Sequence, residues 1–478
     1  MLRHCVTLAF VRITKLGGNR RIMEQKQNRS SFSGKLGFVL SAAGASVGLG
    51  NIWRFPYLAA KYGGGIFLLI YIVLALTFGY TMIMAETALG RMTHKSPVSA
   101  YGAFAKPGRK NGFLGFGGWI NAVIPVLIVP YYSVIGGWVI KYLVEYFRGN
   151  AKLLAEDGYF TDFISNGVST ELCFVAFCAF TLIIIFAGVQ NGIERVSKIM
   201  MPILIVLSVI IAVYSVTRPG ALAGVKYFLV PNVKNFSWIT VVSAMGQMFY
   251  SLSIAMGILI TFGSYMKKDT AIEDSTRNVE IFDTGIAIMA GLMIIPAVFA
   301  FSGGDPDTLQ AGPSLMFITI PKVFQNMGFG TVFFLLVLFA AVTSSIALTE
   351  SAVSTFEDEL GWGRKKATVL VGVIMLALGS LSSLGYGPLA GIKIIGMQFL
   401  DLFDFLTNSV MMPIAALLTS LFVSRVVGID KIEAEIIHGE SAFRRKKVFV
   451  VMIKYLCPVF AIIILLSSVA NALGWIKM

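Results

Sequence analysis

Six polar residues stand inside long apolar runs of this chain: Asn51, Ser251, Ser253, Asp283, Thr343 and Ser344. They offer a carboxamide, a carboxylate and hydroxyls, all oxygen donors. Such groups are costly in an apolar setting and usually bind something there. A hard alkali cation such as sodium takes about five or six oxygens, which hydroxyls, a carboxamide or carboxylate and unwound backbone carbonyls can supply. Other chemistries have less to work with. His4, His94 and His438 lie outside the long apolar runs, and Cys5, Cys173, Cys178 and Cys457 form no metal-type cluster. No nucleophile–base pair falls within the apolar runs. Asp305 and Asp307 sit in a Gly/Pro-containing loop, where a turn is the simpler reading.

Holding these donors takes membrane-spanning helices. Of the 478 residues, 56% are hydrophobic and 13% charged, against about a quarter charged in an ordinary soluble domain. The apolar surplus must face lipid. A spanning helix needs about 20 mainly apolar residues, and about eleven such segments can be counted. Their centres fall near Ala45, Leu74, Val126, Phe180, Leu207, Ser251, Ala290, Ala340, Met375, Pro413 and Ile462. The net charge of +14 resides in short segments before the first span and after the second, fourth, sixth, eighth and tenth. The loop after the third carries Glu156, Asp157 and Asp162 instead. This is the positive-inside pattern rather than a nucleic-acid surface. It predicts a multi-pass protein of the inner (plasma) membrane, N-terminus cytoplasmic and C-terminus outside.

The first and sixth spans are interrupted midway by Gly and Ser, in AAGASVGLGN (Ala42 to Asn51) and FYSLSIAMGI (Phe249 to Ile258). Each opens a group of five spans. Paired interrupted helices in corresponding halves point to an inverted-repeat transporter with its site at the bilayer midplane. Alternatively, the glycines only let helices pack closely. The expected organisation is a cytoplasmic segment 1–34, a ten-helix core 35–425 (repeats 35–216 and 237–425), and a loop with an eleventh helix, 426–478.

The string GASVGLGNIWRFPYLAAKYGGG, Gly44 to Gly65, resembles the first-helix signature of the neurotransmitter:sodium symporter family. GQMFYSLSIAMG, Gly246 to Gly257, resembles its sixth helix. AAVTSSIA, Ala340 to Ala347, with the following FEDEL, resembles its eighth. The likeness runs from about Arg29 to the tenth span. It implies an all-α polytopic protein of the LeuT fold, a 5+5 inverted repeat with helices 1 and 6 broken, that is a symporter and not an enzyme. It also implies two sodium sites. Carried over by position, the first uses the Ser46 carbonyl, Asn51, Ser251 and Asp283, completed by the substrate's carboxylate. The second uses carbonyls of Gly44, Val47 and Ala340 and hydroxyls of Thr343 and Ser344. Back-bonding of those hydroxyls to their own helix is the competing reading.

Asp283 stands where many members have Asn, and Ala287 where chloride-dependent members commonly have Ser. A fixed carboxylate beside sodium neutralises charge without an anion, so no chloride is expected. A structural pairing of Asp283 with a cation is the alternative. Gly48 stands where monoamine carriers place Asp, which leaves room for a substrate carboxylate. Amides around Leu49 and Gly50, at a half-helix N-terminus, would bind it, with the Tyr132 hydroxyl. The substrate amine would meet the carbonyls of Ala45 and Tyr250 and the Ser253 hydroxyl, beside Ser251. Ile128, Tyr250, Met256, Ser344 and Leu348 would line a mainly apolar pocket, which favours a neutral, apolar or aromatic amino acid.

In the family, an outer gate pairs residues matching Arg54 and Asp404 (Asp401 is the substitute if the register slips), over a lid of Tyr132 and Tyr250. An inner gate pairs those matching Arg29 and Asp358, with Phe32 as a plug. Many relatives have twelve spans, but the core repeat needs only ten; a homodimer is compatible with this architecture. MEQKQNRSSF from Met23 reads as a cytoplasmic leader, and translation is expected to begin there. Two rivals are a proton-coupled amino-acid transporter of related fold, which needs no hydroxyl cage, and a channel, which needs a continuous pore.

Overall fold

A computed structural model describes residues 30–105, 112–303, 315–325, 328–440, 442–472 and 475. Apart from an isolated bridge between Ile394 and Met397, regular structure among these residues is helical. Helices α1 (Lys35–Ser46) and α2 (Gly50–Lys61) are one apolar run bent by 53°. Then come α3 (Gly65–Thr93), α4 (Phe113–Phe147), α5 (Gly167–Phe186), α6 (Val189–Val216) and the short α7 (Ala221–Leu229). The second half holds α8 (Trp238–Ser251), α9 (Ile258–Ser264), α10 (Ile272–Ser302), α11 (Leu315–Phe324), α12 (Gly330–Leu360), α13 (Arg364–Leu384), α14 (Phe399–Val427), α15 (Ile429–Ile437) and α16 (Lys446–Asn471).

Nine of these helices are each long and apolar enough to cross a membrane, and the bent pair makes a tenth span. Helices α8 and α9, of 14 and 7 residues, are each too short to span. Together they occupy the place of the expected sixth span. The interruptions differ in kind. Between α1 and α2 the chain leaves the helix at Val47, which is extended (φ −74°, ψ 95°). Between α8 and α9, residues 252–257 turn repeatedly, with positive φ at Ser253 (53°), Ala255 (60°) and Gly257 (70°). Left-handed backbone is uncommon for residues with a Cβ, so surrounding contacts must hold Ser253 and Ala255 there.

Wide helical turns mark other positions where the ladder is disturbed. The segments Gly50–Arg54, Leu315–Thr319, Phe405–Met411 and Met452–Leu456 are π-helical, and each ends two residues before a proline: Pro56, Pro321, Pro413 and Pro458. Proline lacks the N–H that would bond one turn back and crowds that carbonyl. A wide turn ahead of it absorbs both problems.

Packing places the first bend at the centre of the molecule, with α1 against α6, α10 and α12. The long α4 packs against α5, α12, α13 and α14. Helix α3 lies directly on the backbone of α9. A Cβ on Gly90 would overlap the Ile260 carbonyl, and one on Gly263 would overlap that of Thr87. Gly90→Ala should therefore cost about 1–3 kcal/mol through overpacking. It should lower the melting temperature of purified protein, whereas Gly285→Ala, with open space at its Cβ, should not.

Candidate cation and substrate site

The end of α1 leaves the carbonyls of its last residues without intrahelical donors. The Val47 N–H reaches the Ala43 carbonyl, which leaves Gly44, Ala45 and Ser46 beyond it. These carbonyls form the negative end of a half-helix. Ser344 on α12 aims its hydroxyl into them, with Oγ 3.3 Å from the Gly44 carbonyl, 3.1 Å from that of Ala45 and 3.4 Å from that of Val47. Ser253, from the second break, donates to the Ala45 carbonyl at 3.0 Å. Thr343 instead donates to its own helix, at the Phe339 and Ala340 carbonyls (3.0 and 3.2 Å), which is the back-bonded arrangement. Of the residues expected at the second cation site, Ser344 reaches the Gly44 and Val47 carbonyls and Thr343 packs against Gly44, while the Ala340 carbonyl takes the Thr343 hydroxyl within its own helix.

The start of α2 presents amides. The Gly48 N–H donates to Asn51 Oδ1 (3.1 Å) and the Leu49 N–H to the Tyr132 hydroxyl (3.4 Å). Asn51 Nδ2 donates to Asp283 Oδ1 (2.8 Å) and Ser251 Oγ (2.9 Å). Ser251 Oγ also lies 3.0 Å from each Asp283 oxygen. Asn51, Ser251, Asp283 and Ala287 are fully or almost fully buried, and the buried Ser46 hydroxyl has no partner among the described residues. Of the expected members of the first site, Asn51, Ser251 and Asp283 form one hydrogen-bonded cluster, while Ser46 lines the adjoining cavity. A residue missing from the sequence reading joins them: the buried Tyr71 hydroxyl lies 3.0 Å from both Ser251 Oγ and Asp283 Oδ2.

Beside both clusters lies a small cavity. Ala45, Gly48, Leu49, Gly50, Ile128, Tyr132, Tyr250, Ser253, Met256, Ser344 and Leu348 line it as expected; Ser46 and Ile258 are additions. Ser251 belongs to the cation cluster and does not line it. Among the described residues, no charged side chain lines this cavity. A Cβ at Gly48 would come within 2.5 Å of Ser344 Oγ and 3.1 Å of the Tyr132 hydroxyl, so a side chain there would displace one or both. Gly50 makes room for the Tyr250 ring.

Two further residues hold the breaks. Gln247 on α8 donates to the Gly50 carbonyl (2.9 Å), tying α8 to α2. Glu86 on α3, fully buried, accepts from the Ala255 N–H (2.8 Å), which fixes the left-handed turn. A lone Glu at the end of an apolar run gave no sign of this partner. Neither did Tyr71, an aromatic in a run of aromatics and aliphatics.

The expected outer gate has no direct ion pair in this structure. The Arg54 guanidinium lies 5.2 Å from the Tyr250 ring centroid and makes no direct ion pair with Asp404. Asp404 accepts instead from Tyr131 (3.2 Å) and Asn408 (2.5 Å). Asp401 accepts from Tyr386 (3.2 Å). At the end of the molecule bearing the basic loops, Phe32 is buried, edge-on to Phe38, Phe262 and Tyr265. The Tyr265 hydroxyl bonds Glu350, which also pairs with Arg364. Asp358 accepts from the Ser96 N–H (2.6 Å) and lies 3.9 Å from Lys95; Arg29 lies outside the described residues.

The model of the Sodium:neurotransmitter symporter family matches residues 29–154 and 162–475. The chain belongs to the Sodium:neurotransmitter symporter family. Its relatives in this family include the uncharacterized sodium-dependent transporter YhdH of Bacillus subtilis, 35% identical over 93% of this chain and 98% of that protein. The human sodium- and chloride-dependent GABA transporter 2 is 27% identical over 85% and 75%. Among solved structures, MhsT in complex with L-phenylalanine is 34% identical, with a TM-score of 0.82 over 92% of this chain and all of that one. The architecture is thus the LeuT fold. As a symporter family member, the chain is a multi-pass membrane transporter that uses sodium.

The Glu86 contact generates a prediction. Glu86→Leu strands the Ala255 N–H and should cost about 1–3 kcal/mol, read as a lower melting temperature without ligand. Glu86→Gln keeps an acceptor and should retain most of the stability.

Proposed function

We propose that this symporter takes up a neutral, apolar or aromatic amino acid with sodium by alternating access, without chloride. The observation that carries this reading is the lining of the cavity: amides and the Tyr132 hydroxyl at one edge, orphan carbonyls and Ser253 at the other, and uncharged side chains between. The amide end of α2 suits a carboxylate and the carbonyl end of α1 an ammonium. Ile128, Met256, Ile258 and Leu348 leave a side-chain compartment for apolar bulk. The phenylalanine in the MhsT complex is consistent with this class.

Two sodium ions fit the two oxygen sets. One set is Asn51, Ser251, Asp283 and the Ser46 carbonyl, beside the substrate carboxylate. The other is the carbonyls of Gly44, Val47 and Ala340, with Ser344 and a rotated Thr343 hydroxyl. Chloride independence rests on Asp283, whose carboxylate, held by Tyr71, Ser251 and Asn51, supplies the negative charge. Each sodium entering down about 100 mV contributes roughly 2.3 kcal/mol, and a tenfold gradient about 1.4 kcal/mol more. Two ions could oppose a substrate gradient of roughly 7 kcal/mol. Tyr250 and Tyr132 close the cavity on one side. Phe32 and the Tyr265–Glu350–Arg364 set close the basic, cytoplasmic side. Arg54, stacked on Tyr250 rather than locked to a carboxylate, leaves the outer lid weakly held.

The test is the melting temperature of purified protein with a panel of amino acids and amines, in sodium or choline, chloride or gluconate. A ligand at a hundred times its Kd should stabilise by about 2.7 kcal/mol. Apolar and aromatic amino acids should do so in sodium only, equally in gluconate. A shift indifferent to sodium would redirect the reading to proton coupling, and a need for chloride would remove the role given to Asp283. Thr343→Val with Ser344→Ala should abolish sodium-stimulated amino-acid binding while the protein elutes as wild type. Unchanged sodium dependence would remove the second site.

A further inference from the structure

Glu171 lies one turn into α5, a helix of 20 residues. Such a helix is about 30 Å long, roughly the thickness of the hydrocarbon core, so this carboxylate sits just inside the apolar slab. Its neighbours Val168 and Leu172 are 74% and 68% exposed, which in a bilayer means facing lipid. A shallow apolar groove runs here between α5, at Val168, Leu172 and Val175, and the end of α13 and the segment after it, at Leu384 and Pro388. Among the described residues, Glu171 is the only ionisable one lining it. Its Oε1 accepts from Ser380 on α13 (2.5 Å). Its Oε2 is buried without a partner among the described residues. A carboxylate at membrane depth is costly unless paired, and the groove's walls offer no cation.

We propose that the groove holds a phospholipid with a primary-ammonium headgroup, the ammonium donating to Glu171 and an acyl chain lying along Val168, Leu172 and Val175. Positive-inside orientation puts this end of α5 in the outer leaflet. Charge and hydrogen bonding select the headgroup: ethanolamine brings both a positive charge and N–H donors, whereas choline brings the charge alone. A second copy of the chain fits less well. A two-fold interface brings a patch against itself, and this patch, with Val168 and Leu172 exposed, supplies no cation among the described residues.

The test is native mass spectrometry of the full chain with equal amounts of dioleoyl-phosphatidylethanolamine and dioleoyl-phosphatidylcholine. Wild type should retain the ethanolamine lipid about fivefold over the choline lipid, the scale of a weak ion pair. Glu171→Gln should bring the two to parity. Val168→Trp, which fills the groove and leaves the carboxylate in place, should lose the ethanolamine adduct, so the idea stays testable if the first variant is unstable. Equal retention of both lipids by wild type, or a preference that survives Glu171→Gln, would overturn it. So would a dimer that depends on Glu171 and carries no lipid.

Discussion

A bilayer offers no hydrogen-bond partner to backbone groups freed where a helix stops halfway across it. Both α1 and α8 stop there. Their loose carbonyls and amides are the constraint on which the rest of the structure depends. Some are met by side chains brought from elsewhere: Ser253 and Ser344 at the α1 carbonyls, Gln247 at Gly50, Glu86 at Ala255, Tyr132 at Leu49. The remainder face the cavity and the oxygen clusters beside it. A site built this way needs few dedicated side chains, because the backbone itself supplies donors at one edge and acceptors at the other.

The same constraint explains where small residues are indispensable. Gly48 keeps the space that Ser344 and Tyr132 would otherwise lose to a side chain, and Gly50 admits the Tyr250 ring. Gly90 and Gly263 let α3 settle on the backbone of α9, which brings Glu86 within reach of the second break. The charge of Asp283 is likewise distributed among Asn51, Ser251 and Tyr71 rather than met by a basic side chain.

Much of this was legible in the sequence because polar residues are conspicuous in apolar runs. Asn51, Ser251, Asp283, Thr343 and Ser344 stood out for that reason, and the structure gathers them into two groups. The two interruptions were legible from Gly and Ser at mid-span. Residues that look ordinary in their surroundings were not. Tyr71 reads as one more aromatic, Glu86 sits toward the end of its run, and Gln247, though within the sixth span, lies beside the more conspicuous Gly/Ser break. The direct Arg54–Asp404 contact was an expectation of likeness. Sequence distance says nothing about whether two side chains reach, and here each has found a nearer partner, Tyr250 for one and Tyr131 with Asn408 for the other.

The bond from Gln247 to the Gly50 carbonyl has a consequence for motion. It joins α8 to α2 at their inner ends, so these two half-helices cannot swing separately without losing a buried hydrogen bond. Tyr250 rides on one and Arg54 on the other, with the guanidinium over the ring. Moving either half-helix alone would strand a buried partner at about 1–3 kcal/mol, so joint movement of lid and cation is favoured over movement of one without the other.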